Sequence, residues 1–372
     1  MVRQIVCFSE KSDSKKAFFD IVSQIKDAGE GRKPILIIFC APYISFTDYA
    51  NDFKQFFPHS VTIGMSTFVA FSSSGFSKTG LAAMAVFEGI EVSEGTLFEV
   101  SHYPMRHKES IVKAMSRLSS LENTICFEFT TAFQNCEELV QDTFRAVLEK
   151  EKVPIFGGTA GASPEFTETY VSLNGVSYRE AAVFVLIKNL QGKIRLYKEN
   201  IFKPTEHYFI ATDVDCDERT VYEYDYTTAA EAVASAIQVP VEELPDIIGN
   251  YPVGRIHGDI IYITDPAKVW PDGRITYYAR IYNRTRLVLL EADDVDRVWD
   301  ETAAKVHMDG SISFSIVCNC MGRSTMFFKK GKFADFNSKL TGEYGDFIGF
   351  SGYGEQLNYE HQNQTLIMAV FE

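Results

Sequence analysis

No apolar run in this 372-residue chain is long enough to cross a bilayer. The longest, from Ile35 to Ile44, falls well short of the roughly 20 residues a spanning helix needs. The opening MVRQIVCFSEKSDSKK also lacks an apolar stretch of signal-peptide length, so the expected compartment is the cytoplasm and no membrane partner is expected. Positive charge is scarce: 36 Lys and Arg stand against 50 Asp and Glu, a net charge of −14. Phosphate backbones and anionic surfaces are repelled at that balance, which argues against nucleic acid. The densest basic stretches, Lys11 with Lys15 and Lys16, and Lys329 with Lys330 and Lys332, are short solvated faces.

The usual marks of an enzyme or metal site are missing as well. The seven cysteines, at 7, 40, 126, 136, 216, 318 and 320, are odd in number, contain no CxxC and read as reduced, buried thiols. No GxSxG offers a nucleophile elbow, and the seven histidines form no HExxH. Asp213-Val214-Asp215-Cys216-Asp217 starts like a calcium loop, but Glu218 stands where the turn wants glycine and Tyr224 where a bidentate carboxylate belongs. Gly29-Glu30-Gly31 precedes a strand instead of following one, so it cannot cradle a phosphate at a helix start. His102 and His107, five apart near Pro104, read as surface histidines.

What the chain has is core. Apolar residues make up 46%, with 30 Phe and 18 Tyr, enough for two to three domains and against disorder. Three stretches share one grammar, a repeat that sets the architecture. In the first, from about 33 to 90, the run Ile35-Leu36-Ile37-Ile38-Phe39 predicts a buried strand. Phe46, Tyr49, Phe53, Phe56 and Phe57 then fall at helical spacing, before Val61–Thr67 and a strand ending Ala85-Val86-Phe87. The second, from about 123 to 188, repeats the order with strand Thr124–Phe129 and a helix carrying Leu139, Val140, Phe144, Val147 and Leu148, with a start signal at Asn135 and Glu138. Its glycine turn runs from Phe156 to Gly161, and an Asn174-Gly175 hairpin leads to a strand from Ala181 to Ile187. The third has a strand from Ser311 to Cys318, a short helix after Cys320, then Phe347–Glu355 and a last strand Thr365–Phe371. The expected fold is α/β, with mixed sheets and flanking helices built from repeated strand-helix-strand-strand units in two domains.

The stretch between the second and third units differs in character. A helix with Ala229, Ala230, Val233 and Ile237 on one face is followed by Pro240, Pro245 and Pro252, and then by strands at 260–263 and 275–281. A helix from about Asp294 carries Val295, Val298, Trp299, Thr302, Ala303 and Val306. The boundary is expected near 220, giving domains 1–220 and 221–372.

These residues together resemble the FIST family of sensory proteins in both its N-terminal and its C-terminal domain. The likeness rests on Ile63–Thr67, on Phe156–Gly161 with Glu168–Val171 and Asn174-Gly175, and on Tyr251–Gly254 and Asp272-Gly273. Cys320 with Arg323, and Gly349–Glu355 followed by Asn363 and Thr365, complete it. Phe68-Val69-Ala70 departs from the family, which tends to have a small residue, Gly and Glu there. The resemblance implies a cytoplasmic bacterial sensory module for small ligands such as amino acids. It also implies coupling to a histidine kinase, a cyclic-di-nucleotide enzyme or a chemotaxis receptor, here as a separate partner since the two halves leave no room for a fused output.

The expected ligand site gathers Ser66, Gly157, Gly158 and Thr159 with Cys320, Arg323, Gly349, Ser351, Tyr353, Gly354 and Glu355. Glycine turns let backbone donors approach a ligand, and Arg323 and Glu355 offer opposite charges to a zwitterion. Two other readings stand beside it. One is an enzyme that uses Cys320, near Arg323, or Thr159 as nucleophile. The other is haem-based nitric oxide sensing, which needs an axial ligand that no histidine motif supplies. The sequence itself calls for no cofactor.

Overall fold

The computed structural model describes residues 3–258 and 260–372. The repeat is longer than its sequence signal, because each unit also begins with an edge strand and a helix. The first runs β1 (Arg3–Ser9), α1 (Ser14–Gly29), β2 (Leu36–Ala41), α2 (Phe46–Phe56), β3 (Val61–Ser66), the hairpin β4 (Ala70–Ser72) and β5 (Gly75–Ser77), and β6 (Leu81–Glu88). The second follows the same path: β7 (Ile90–Phe98), α3 (Lys108–Met115), β8 (Thr124–Thr130), α4 (Glu137–Leu148), β9 (Ile155–Thr159), the hairpin β10 (Val171–Leu173) and β11 (Val176–Tyr178), and β12 (Ala181–Asn189).

The third opens with β13 (Ile194–Asn200) and is interrupted at once by β14 (Phe202–Asp215), β15 (Thr220–Tyr224), β16 (Thr227–Thr228), α5 (Ala229–Ala236) and α6 (Leu244–Ile247). The interruption continues through β17 (Val253–His257), β18 (Ile260–Thr264), β19 (Pro266–Val269), β20 (Ile275–Tyr277) and β21 (Arg286–Ala292). The repeat then resumes with α7 (Val295–Asp309), β22 (Phe314–Cys320), α8 (Met321–Lys329), α9 (Phe333–Tyr344), β23 (Phe347–Gly352), the hairpin β24 (Gly354–Leu357) and β25 (Glu360–Gln362), and β26 (Thr365–Phe371).

Three six-stranded mixed sheets result, in the orders β1-β6-β2-β3-β10-β11, β7-β12-β8-β9-β24-β25 and β13-β26-β22-β23-β4-β5. In each, two strands of one repeat run parallel, β2 with β3, β8 with β9 and β22 with β23, and the last strand of that repeat pairs antiparallel with the first of them. The hairpin beside them always comes from another repeat: β10 lies on β3, β24 on β9 and β4 on β23. The exchange is cyclic, so no repeat completes its own sheet.

The inner faces of all three sheets share one apolar core that includes Ile38, Met65, Phe127, Phe156, Cys318, Phe350 and Ile367. Helices cover the outer faces. Phe39 stacks on Phe46 and meets Phe53 at a tilt beneath α2, and Phe144 of α4 packs edge-on against Phe184. Local chemistry sets the turns. Asn174 and Gly175 take φ of 50° and 87°, the left-handed pair that a two-residue hairpin requires. Helix α4 begins at Glu137, while Asn135 sits left-handed at φ 50° ahead of it, so the expected cap lies outside the helix. Strand β26 lies between β13 and β22 with every residue buried, an inner strand as its uniformly apolar sequence requires.

By compactness the chain forms one unit of Met1–Lys198, Glu301–Glu360 and Leu366–Glu372, and a second of Glu199–Asp300 and His361–Thr365. The family-half boundary near residue 220 falls inside the second unit's main segment. That unit has its own sheet, β18-β17-β21-β14-β15-β20-β19, one face of which packs through Phe209, Val221, Tyr224 and Leu289 against α5 and Leu244 of α6. Among the described residues no helix is long and apolar enough to cross a membrane.

Candidate functional site

In the first compact unit, the second parallel strand of each repeat carries, at or next to its end, a carbonyl that accepts an amide from another repeat. Ser66 O accepts from Gly161 N at 2.8 Å, Thr159 O from Tyr353 N at 3.1 Å, and Ser351 O from Phe68 N at 3.0 Å. Each donor lies two residues past the acceptor of its own repeat, so Ser66, Thr159 and Ser351 are equivalent positions on a closed ring of three bonds. The structure thus brings together three of the residues expected from sequence.

Their hydroxyls are engaged with protein. Ser66 Oγ accepts from Tyr170 N at 3.0 Å, Thr159 Oγ1 accepts from Gln356 Nε2 at 2.7 Å, and Ser351 Oγ lies 2.7 Å from Ser324 Oγ. The glycines allow strands to touch. A Cβ on Gly157 would lie 1.9 Å from the Glu128 carbonyl oxygen, one on Gly158 2.6 Å from Cys318 Sγ, and one on Gly349 2.2 Å from the Phe71 ring. Gly354 opens β24 opposite Thr159. Two surface cavities, of about 380 and 540 Å³, contain none of the residues expected from sequence.

Polar chemistry concentrates in the third repeat, where the pseudo-symmetry is broken. Asn319 stands opposite Ser351, whereas the matching positions are Ala41 opposite Ser66 and Thr130 opposite Thr159. Glu355 stands opposite Gly158, where the other sheets have Val171 opposite Met65 and Ala70 opposite Phe350. Asn319 donates to Ser324 Oγ at 2.8 Å and to Cys320 O at 3.3 Å. Cys320 occupies the N-cap of α8. Arg323, in the first turn of that helix, is wholly buried, its guanidinium carbon 5.6 Å from the centre of the Phe327 ring. Glu355 is equally buried. Tyr353 sets its ring 5.0 Å edge-on from Phe133.

Burial governs the ionisable groups. It raises the Cys318 thiol well above its ordinary value, and the charge of Glu355 adds to that effect. Lys198 is pulled down to about 8 by burial, against the opposing influence of Glu355 and Glu360. On the helix-covered face of the second sheet, Glu128 is pushed up to about 8 by burial. Its carboxyl accepts from Thr130 Oγ1 at 2.8 Å and from Gln141 Nε2 at 3.0 Å. Asn319, Ser324, Lys198 and Glu128 escaped the sequence reading. Aligning the three repeats residue by residue would have flagged Asn319 and Glu128, because Glu128 pairs with Gly157 where Phe39 pairs with Gly64 and Val317 with Gly349. Among the described residues no group of three or more His, Cys, Asp or Glu is placed to hold a metal ion.

Comparison with known proteins adds two family matches: the FIST N domain over residues 35–226 and the FIST C domain over 229–358. No curated protein matches the chain. Among solved structures, a cyanuric acid hydrolase described as an evolutionary innovation by structural concatenation is 7% identical, at a TM-score of 0.36, over 100% of this chain and 99% of its own. The cyanuric acid hydrolase from A. caulinodans is 8% identical at a TM-score of 0.39, again over 100% and 99%. Likenesses this weak carry no inference about activity. With a domain match over each half, the chain belongs to the FIST family, whose domains are associated with sensory signal transduction.

Proposed function

We propose that this chain is a cytoplasmic sensor that binds an amino acid or related small metabolite through Arg323 and Glu355 and signals through a separate partner. A histidine kinase, a cyclic-di-nucleotide enzyme or a chemotaxis receptor fits that role. The family supports the class, and one observation carries the location. Asn319 is fully buried and uses its Nδ2 within the protein, yet among the described residues none donates to its Oδ1. Leaving such an acceptor unmet costs about 1–3 kcal/mol. A ligand N–H at the end of β22 would recover that cost. Arg323, one helical turn away, offers a planar fork suited to a carboxylate, and Glu355 an acceptor for an ammonium.

The test is a thermal-shift screen of amino acids and related metabolites, since a ligand that prefers the native state raises its melting temperature. Calorimetry on Arg323→Ala and Glu355→Ala follows for any compound found. The expected outcome is at least tenfold weaker binding in both variants. Unchanged affinity in both, with the fold intact by circular dichroism, moves the site elsewhere, and a broad screen without any stabilising compound counts against the sensor reading itself.

A further inference from the structure

The second compact unit holds a buried carboxylate that nothing above employs. Asp265 sits between β18 and β19 and is only 8% exposed. The His361–Thr365 segment of the same unit fixes its position. Asn363 N donates to Ile263 O at 3.0 Å, Asp265 N donates to Asn363 Oδ1 at 3.3 Å, and Gln364 Nε2 donates to Asp265 Oδ2 at 2.8 Å. On the other side Tyr278 N donates to Asp265 O at 2.9 Å. The backbone and one carboxylate oxygen are thereby held, whereas among the described residues none donates to Oδ1.

A buried carboxylate is ordinarily matched by a cation or by donors on both oxygens. Here two neighbouring side chains, Arg219 and His361, contact a different acceptor. Arg219 Nη1 donates to Tyr278 O at 2.7 Å, and His361 Nε2 lies 3.3 Å from that same oxygen. Burial pushes the Asp265 carboxyl up to about 7, opposed by the Gln364 bond. Taking up a proton removes the buried charge but turns an unmet acceptor at Oδ1 into an unmet donor. A group that brings both a positive charge and an N–H would meet both needs at once. A divalent metal does not fit, because no second and third carboxylate, Cys or His join Asp265 among the described residues.

We propose that Asp265 is a binding residue for a protonated primary amine, received at Oδ1 while Gln364 holds the other carboxylate oxygen and Asn363 the backbone. The inference stands on the second unit alone and is independent of the Arg323 site. An amine needs the ionised carboxylate, so binding strengthens as pH rises through the Asp265 titration. The ammonium stays protonated across that range, as a lysine side chain does.

The test uses ethylammonium chloride as probe, with sodium chloride and ethanol as charge and shape controls, on the full chain by thermal shift and calorimetry at pH 6 and pH 8. With the carboxyl titrating near 7, affinity in the wild type is expected to be about tenfold tighter at pH 8 than at pH 6. Asp265→Asn should lose both the affinity and its pH dependence while keeping its circular dichroism. No ethylammonium binding in the wild type overturns the proposal, as does equal binding by Asp265→Asn or an affinity flat with pH. Should the variant fail to fold, the wild-type pH comparison against sodium chloride decides alone.

Discussion

Glu128 should make this protein steadily less stable between pH 5 and pH 8, and replacing it with glutamine should remove that loss. The carboxyl is fully buried beneath α4, held by Thr130 and Gln141 with no cation among the causes of its raised pKa, and Glu137 on the same helix pushes it further in the same direction. Its pKa rises from 4.5 to about 8 on folding. Within that window the native state binds more protons than the unfolded chain, so stability falls as pH rises. The loss begins above the unfolded value of 4.5 and levels off above the folded value of about 8. A tenfold change in a proton's affinity corresponds to about 1.4 kcal/mol, and integrating the difference in bound protons from pH 5 to pH 8 gives a loss of about 3 to 4 kcal/mol. In Glu128→Gln, the side-chain oxygen still accepts from Gln141 and its amide donates to Thr130, so packing is kept and the charge removed. The assay is urea denaturation of both proteins across the pH range. Other buried groups titrate equally in the two, so the difference between the curves isolates Glu128. The stability gap should widen by about 3 to 4 kcal/mol toward pH 8 in favour of the glutamine variant. Parallel pH profiles would show that the carboxyl stays ionised or solvated in the native state, and would refute the reasoning.

Removing residues 365–372 deletes β26 from between β13 and β22 and bares both neighbours, so the truncated chain should be insoluble when expressed; normal solubility and melting would contradict its inner placement. Two glycine-to-alanine changes should act with opposite sign in thermal melts. Gly157→Ala drives a methyl to within 1.9 Å of the Glu128 carbonyl oxygen, a backbone atom that cannot step aside, and should cost about 3 kcal/mol or more. Gly342→Ala lies in α9 with nothing within 4 Å of the new methyl and should add about 0.5–1 kcal/mol. A neutral Gly157→Ala would mean that β8 and β9 are not held at this separation.

The sequence by itself determined the repeat. The apolar run Ile35–Phe39 reads as a buried strand, Phe46, Tyr49 and Phe53 fall on one helical face, and Asn174-Gly175 favours a tight hairpin; these are local periodicities and dihedral preferences, readable without any partner. It determined the family for the same reason, through short motifs in a fixed order. It did not reveal that each unit begins with a further edge strand and helix, because β1, β7 and β13 alternate buried and half-exposed positions too weakly to stand out. Only the tertiary structure decided the cyclic exchange of hairpins, since the backbone pairing that seats β10 on β3, β24 on β9 and β4 on β23 carries almost no sequence label. The same holds for the site. Ser66, Thr159 and Ser351 were visible as small polar residues beside glycines, but their equivalence rests on three backbone bonds between repeats far apart in the chain. Asn319 and Asp265 look ordinary in the sequence. What marks them is burial with an oxygen left unmet, and burial is a property of everything packed around a residue, not of the residue and its neighbours in the chain.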